Sequence, residues 1–362
     1  LGSQAAGGIA GLKIGTVRCL FYKHHLLFLN IVLKRGVRAL IQVTIAAVGD
    51  LLMKSEIITA AKRQSGHTFD PIFEEVAPIL KAHDLAVGNL ETTFSGKRLL
   101  GAPGIRPKCN CPRERRNPRS GLPVFNCPDE LAGSLKKAGF HVLTTANNHC
   151  MDGGSSGVKR TLQVLDAHKL QHTGTARSAK EAKGPLIVDV KGVRIGIVAY
   201  TEKTNAIPVP KRWLVNRFNA NQMAADIWGM KDNADFIIAC LHFGKEYRSY
   251  PDSSQKKWMQ FLFRQGVNVV LGAHPHVLHP VTQSVMKDKY GVERTRVAAS
   301  SLGNFVSTKL TKGTNTVQGM ILSLTLTKQD NGRTDISGVE QIPTLVERRK
   351  GETTVYTVVP ER

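Results

Sequence analysis

Nine polar residues of this chain share one place in its pattern: each stands where a short apolar run ends, or a few residues beyond. They are Asp50, Asn89, Glu91, Asn148, His149, His242, His274, His276 and Asn304. Carboxylate, imidazole and amide oxygen are together the donors that hold zinc, manganese, iron or magnesium. The chemistry open to them is that of a divalent cation, one ion or two, acting on an ester or amide bond. Residues 141–154, HVLTTANNHCMDGG, show the pattern in its shortest form, a β-branched and apolar run that stops at Asn147, Asn148 and His149. Alone, that tripeptide reads equally as a turn; five further strand ends of the same kind make chance a poor account of it. His274-Pro275-His276 is the densest element. In an extended segment alternate residues point the same way, and proline favours an extended backbone. Either both imidazoles meet one ion, or one binds while the other contacts substrate.

Such residues meet only if the strands that carry them end along one edge, where α/β sheets usually hold ligands. Apolar runs at 43–48, 84–88, 142–146, 235–241, 267–271 and 297–302 are the predicted strands, each leading into members of the set. Helical spacing marks 71–83, 128–138, 155–169, 220–231 and 256–264. Lys191 and Gly192 form a hairpin turn between 186–190 and 193–198. Past residue 309 the segments 317–327, 338–342 and 353–359 alternate, with Asp330-Asn331-Gly332 as a turn, so the last part of the chain reads as antiparallel sheet. Neither an internal repeat nor a low-complexity tract interrupts this order.

The formal charge of +22 points to an anionic partner. Its distribution weakens that inference. Residues 1–49 carry six basic residues and no acid, and residues 97–120 carry eight against Glu114, so these segments hold thirteen of the 22 charges. Basic charge is unaccompanied by any stacked aromatic pattern, which argues against a nucleic-acid module. Six cysteines lack a CxxC pair, which excludes a zinc knuckle; Cys240 sits in an apolar strand as a buried thiol. The first forty residues form an uncertain segment. The apolar stretch 26–33 lies between basic flanks and falls short of the ~20 residues of a membrane span, so it is either a degraded signal-anchor or the product of a misplaced start. Residues 97–120, rich in Arg, Pro and Gly, are an irregular insertion, read here as disordered or erroneous more than as a functional loop.

Six motifs together carry a family resemblance. Gly49-Asp50, Gly88-Asn89-Leu90-Glu91-Thr92, Ala146-Asn147-Asn148-His149, His242-Phe243-Gly244-Lys245-Glu246-Tyr247, Gly272-Ala273-His274-Pro275-His276 and Ser301-Leu302-Gly303-Asn304-Phe305 keep an order and spacing that resemble the bacterial CapA-type capsule-synthesis, or poly-γ-glutamate biosynthesis, proteins. The resemblance covers about residues 43–308 and implies a calcineurin-like metallophosphoesterase fold of the α/β (α+β) class. That fold is a metallophosphatase-like four-layer sandwich of two mixed β-sheets flanked by helices. On it, residues 41–308 form the main domain and residues 309–362 a β extension of it.

By the same resemblance Asp50, Asn148, His242, His274 and His276 match metal ligands, with Asn89 or Glu91 in place of a bridging aspartate. His149 matches the histidine that faces the scissile group, and Glu246 is a candidate second base, though a surface ion pair suits it better. The usual Asp-x-His is here Asp50-Leu51-Leu52, one imidazole short. The implied cofactor is one or two divalent ions. The implied partners are poly-γ-glutamate or a phosphoester and other capsule-synthesis membrane proteins, at an envelope location that is membrane-associated and faces outward. Two functions stay open: a metal-dependent hydrolase, and a non-catalytic component that holds the polymer during synthesis or export.

Overall fold

A computed structural model describes residues 40–96, 121–311, 315–351 and 353–361. The readings of an N-terminal anchor and of a basic insertion at 97–120 fall outside these residues. In chain order the described elements are β1 (Ile41–Leu51), α1 (Ser55–Ala61), α2 (Asp70–Phe73), α3 (Ala77–Lys81), β2 (Leu85–Asn89), α4 (Glu130–Ala138), β3 (Val142–Thr144), α5 (Gly154–Ala167), β4 (Gln171–Thr173), α6 (Ala179–Ala182) and β5 (Leu186–Val190). There follow β6 (Val193–Thr201), α7 (Ala220–Met230), β7 (Phe236–His242), α8 (Ser253–Gln265), β8 (Val269–Ala273), β9 (Val281–Lys287), β10 (Glu293–Ala299), β11 (Asn304–Val306), β12 (Gln318–Lys328), β13 (Thr334–Lys350) and β14 (Thr354–Pro360).

Two mixed sheets result. The first runs β14-β13-β12-β1-β2-β3-β4 with β11 added to β1, and the second β5-β6-β7-β8-β10-β9. β1 to β4 are mutually parallel, and the first sheet is completed by antiparallel pairing of β12 with β1, of β13 with β12 and of β14 with β13. Alternation along β1 shows how the layers are specified. Val43, Ile45 and Ala47 join a core between the sheets, shared with Ile195, Ile238 and Leu271, while Ala46 and Val48 turn outward to Leu131, Leu135 and Leu162 on α4 and α5. The outer face of the second sheet is covered by α7 and α8 through Met223, Ile227, Met259 and Leu262. Helices, sheet, sheet and helices make the four layers of a metallophosphatase-like sandwich.

The short α1, β4 and α6 were not read from the sequence, and three further elements differ from that reading. The helix expected over 71–83 is two short ones, because Pro78 lacks an N–H and fits only a first helical turn, so the pattern restarts at Ala77. β9 was not foreseen: it is an edge strand, VTQSVMK, with little buried surface and hence little apolar periodicity. β13 extends far beyond 338–342, as its partners on both sides register along most of its length. Among the described residues no helix is long and apolar enough to cross a membrane.

Candidate metal centre

Parallel strands bring the site together by ending at one edge. Asp50 lies near the end of β1 and Asn89 ends β2, with Glu91 two residues on; His242 ends β7; His274 and His276 follow β8; Asn304 opens β11 beside Asp50. The glycine of Gly49-Asp50 is a close-approach position. A Cβ there would sit 2.0 Å from the Gly303 carbonyl oxygen, which accepts the Asp50 N–H at 3.0 Å. The sheet edge and the Gly303-Asn304 turn can touch only through glycine.

Asp50 is the hub. Its Oδ1 accepts the Asn89 amide at 2.7 Å, and its Oδ2 accepts the His274 backbone N–H at 3.2 Å and lies 3.3 Å from His276 Nδ1. Burial would raise this carboxyl. The His276 hydrogen bond, the His242 and His276 charges and the Asn89 amide outweigh it and pull the carboxyl down to about 2. His276 is raised: its burial acts downward, but the Asp50 contact and charge prevail. His242 is pushed down to about 3 by burial first, with the His276 and His149 charges adding and Asp50 opposing. His242 Nε2 donates to Asn148 Oδ1 at 2.9 Å while Nδ1 faces the Asn89 amide at 3.2 Å, the pattern of a neutral ring. His274 is likewise lowered, by burial foremost and then by neighbouring cations that include Lys203.

Glu91 is the anomaly. It is fully buried, and neither carboxylate oxygen has a hydrogen-bond partner among the described residues. Burial, followed by the Asp50 charge, drives its carboxyl well above the usual range. His274 Nδ1 is also buried without a partner. A buried ionised carboxylate without donors costs several kcal/mol, and a cation removes that cost. The donor atoms fit one: Asp50, Glu91 and His242 form one group, and Glu91, His274 and His276 a second, with the atoms of each within 4.8 Å of one another. Glu91 is the member common to both, so the arrangement suits two cations sharing a carboxylate.

Asn89, read from sequence as a ligand, has its amide on Asp50 and its Oδ1 accepting the Thr144 hydroxyl at 3.1 Å. Asn148 faces His242 within the cluster. Asn304 accepts from His276 Nδ1 at 3.0 Å and donates to the Thr316 carbonyl at 2.7 Å. The extended geometry expected for His274-Pro275-His276 is wrong. His274 has φ 97° and His276 φ 60°, so the chain turns through left-handed conformations and the rings converge, 6.0 Å apart, by coiling. Glu246 is exposed; its charge acts on Glu91 and His276, and its carboxylate faces the Tyr247 hydroxyl. No ion pair of Glu246 occurs among the described residues.

His149 stands at the rim of the cluster with its own brace. Its Nδ1 is 2.8 Å from Asp152 Oδ2, the Phe125 ring packs 4.3 Å from the imidazole, and the same Asp152 oxygen accepts the Phe125 N–H at 2.7 Å. Burial raises Asp152 above the usual carboxylate range, against the opposing pull of His149. Sequence reasoning passed over Asp152, although an acid three residues after the histidine in a tight glycine-bounded turn was the available signal. Asn147, read as a turn residue, locks the segment down: its amide donates to the Leu90 carbonyl at 2.7 Å and its oxygen accepts the His149 N–H at 3.1 Å.

The family described as bacterial capsule synthesis protein PGA_cap matches residues 44–309. The capsule biosynthesis protein CapA of Bacillus anthracis is 27% identical over 271 residues, which cover 73% of this chain and 60% of that protein. The PGA biosynthesis protein CapA of Bacillus subtilis (strain 168) is 27% identical over 303 residues, covering 81% of this chain and 70% of its own length. The chain therefore spans well under two thirds of the first of these relatives. Among solved structures the NAD nucleotidase of Haemophilus influenzae matches with a TM-score of 0.50 and 12% identity over 88% of this chain and 54% of that one, a likeness of fold.

Proposed function

The chain belongs to the bacterial capsule synthesis protein family, and from that membership we propose that it is a metal-dependent hydrolase of capsule or poly-γ-glutamate biosynthesis, acting on a phosphoester or on the anionic polymer itself. The observation that carries the metal is Glu91, fully buried, with no hydrogen-bond partner for either oxygen among the described residues and common to two groups of ligand atoms. Asp50, Glu91, Asn148, His242, His274 and His276 would hold one or two divalent ions, of manganese, zinc, iron or magnesium type, with Asn89 and Asn304 orienting Asp50 and His276. When bound, such an ion supplies a water-derived nucleophile near neutral pH and polarises the scissile group. His149 provides the proton. As a carboxylate Asp152 can only accept, so Nδ1 keeps its hydrogen and the proton given to the departing atom is one that Nε2 has first taken from solvent, the ring returning to its neutral form as it is released. Glu246, exposed at the rim, faces incoming substrate and contributes charge there.

The test is manganese and zinc content of the full chain together with hydrolysis of bis-p-nitrophenyl phosphate and of γ-linked glutamate chains. His149→Ala should keep the metal and lose turnover, and His274→Ala should lose both. A chain that stays metal-free in excess manganese and zinc overturns the reading. A second reading has its own support: Leu52, buried at 2% exposure, stands where the Asp-x-His pattern has a ligand, so the cluster is one imidazole thinner. On that reading the chain holds the anionic polymer for other capsule-synthesis membrane proteins at the cell envelope, membrane-associated and facing outward, without cutting it. Salt-sensitive polymer binding that survives His149→Ala, with no hydrolysis of either probe, would favour it.

A further inference from the structure

We infer that Asn205 and His149 form an oxyanion pocket at the rim of the metal centre, in which the Asn205 amide binds the phosphate or carboxylate group of the substrate. The inference deepens the reading given above and rests on it for the identity of the site.

Residues 202–217, which join β6 to α7, fold as a wall beside the His149 segment. Thr201 N–H donates to the Asn216 carbonyl at 3.0 Å, Asn216 N–H to the Gly174 carbonyl at 2.8 Å and Ala176 N–H to the Leu214 carbonyl at 3.1 Å, which fixes the base of the wall. Its apolar side chains close the contact. Leu214 and Val215 are buried against Cys150, Met151 and Val158, and Ile207, Val209 and Trp213 pack on them. The wall and the His149–Val158 segment thus share a small core of their own.

At the head of the wall the backbone is forced. Asn205 has φ 49° and Ala206 φ 58°, two consecutive left-handed residues without a glycine. Asparagine tolerates that region and alanine does so at a cost, so such pairs persist where the surroundings over-determine them. Here Thr204 and Ile207 clamp the turn, with Ile207 N–H on the Thr204 carbonyl at 2.8 Å and Thr204 Oγ1 on the Ile207 carbonyl at 2.9 Å. The outcome is a half-buried Asn205 whose Nδ2 lies 3.5 Å from His149 Nδ1 and 3.4 Å from Nε2.

Near-equal distances to both nitrogens place the amide above the ring, away from either lone pair, so His149 does not satisfy it. Nδ1 is already held by Asp152. Among the described residues the Asn205 side chain makes no other hydrogen bond. An amide donor and the free Nε2 thus sit side by side next to the ligand cluster. The wall around them carries Lys203, Lys211, Arg212 and Arg217 against Glu202 alone, and the Lys203 charge reaches His274. An amide donor in a basic surround suits an oxyanion.

The experiment uses the full chain loaded with manganese, titrated calorimetrically with inorganic phosphate, and assayed for KM and kcat on bis-p-nitrophenyl phosphate. Asn205→Ala should weaken phosphate binding by about ten-fold, the worth of one hydrogen bond to a charged group. Asn205→Asp, nearly isosteric, should weaken it further and raise KM more than it lowers kcat. Manganese content should stay at the wild-type value in both, and melting temperature in Asn205→Asp, while Asn205→Ala also carries the cost of alanine at φ 49°. Unchanged phosphate affinity in both variants overturns the inference, as does a wild-type chain that binds manganese but no phosphate, or a loss of affinity in Asn205→Asp that tracks a lower melting temperature. If phosphate binds through Asn205 and neither probe is cleaved, the inference stands and the hydrolase reading falls.

Discussion

His149 Nδ1 and Asp152 Oδ2 are 2.8 Å apart in a pocket that leaves the two side chains 7% and 1% exposed. The carboxylate is in turn fixed by the Phe125 N–H, so the imidazole has one tautomer and one orientation. Asp152→Asn can offer its amide where the ring needs an acceptor, which reverses the hydrogen bond and moves the ring proton to Nε2. Turnover of bis-p-nitrophenyl phosphate should then fall by about 100-fold, with KM and metal content little changed. Steady-state kinetics beside metal analysis check this; a kcat within a factor of two of wild type would remove Asp152 from any role in orienting His149.

Glu91 makes opposite predictions with and without metal. In the metal-free protein its carboxyl is buried, has no hydrogen-bond partner among the described residues and is repelled by Asp50, so Glu91→Gln should melt at or above the wild-type temperature. With manganese at about 100 times its Kd, wild type should gain about 2.7 kcal/mol of stability by linkage, and the variant almost none. Calorimetric melts with and without manganese give both quantities at once. A variant that gains as much as wild type would show that Glu91 holds no ion.

Much of this centre was legible because its residues stand at or just beyond the ends of buried strands, and parallel strands end together. Asp50 and His242, each the polar residue that closes an apolar run, are the clearest of that kind. What stayed hidden depends on contacts that spacing does not encode. Asp152 owes its role to a turn that folds it back on His149 and to Phe125, which follows the undescribed segment 97–120. Asn205 lies 56 positions from His149, and nothing local joins them. His274 and His276 were placed on the same side for the wrong reason, since both turn left-handed around Pro275, His274 against the extended conformation that a following proline favours. The polar edge strand β9 had no buried face to mark it.

Acid stability should report a contact far from the site. Asp235, just before β7, has Arg194 Nη2 at 2.9 Å and Lys328 Nζ at 3.0 Å, tying the second sheet to β12 of the first. Burial acts to raise its carboxyl, but these hydrogen bonds and charges together outweigh it and pull it down to about 2. Because the folded value lies below the unfolded one, the stabilisation is complete above about pH 4 and disappears as pH falls through about 2. Asp235→Asn should cost on the order of 1–2 kcal/mol at pH 7. Urea unfolding at pH 7, 4, 3 and 2.5 should show the gap between variant and wild type closing across that window; a constant gap would mean the charge contributes nothing.

Gly49 tests how tightly the ligand edge is built. A methyl group there would lie 2.0 Å from the Gly303 oxygen and 3.0 Å from the Leu302 carbonyl carbon, both backbone atoms with no side chain to swing away. Gly49→Ala must therefore part β1 from the Gly303-Asn304 turn, breaking the Asp50 N–H bond to Gly303 and shifting Asp50 away from His276. Overpacking of this kind costs roughly 1–3 kcal/mol, and the displaced ligand adds a loss of metal affinity that stability alone would not predict. Gly303 has φ 66°, so Gly303→Ala combines a left-handed strain with a clash 2.5 Å from the Gln318 oxygen and should be at least as damaging. Gly332→Ala, with φ 81° but open space around it, separates the two effects: it should lose only the conformational part, about 1 kcal/mol, and keep wild-type metal content. Denaturant unfolding with metal analysis on the three variants decides the matter. If Gly49→Ala retains wild-type manganese affinity, the close approach of β1 to the Gly303 turn is not what positions Asp50.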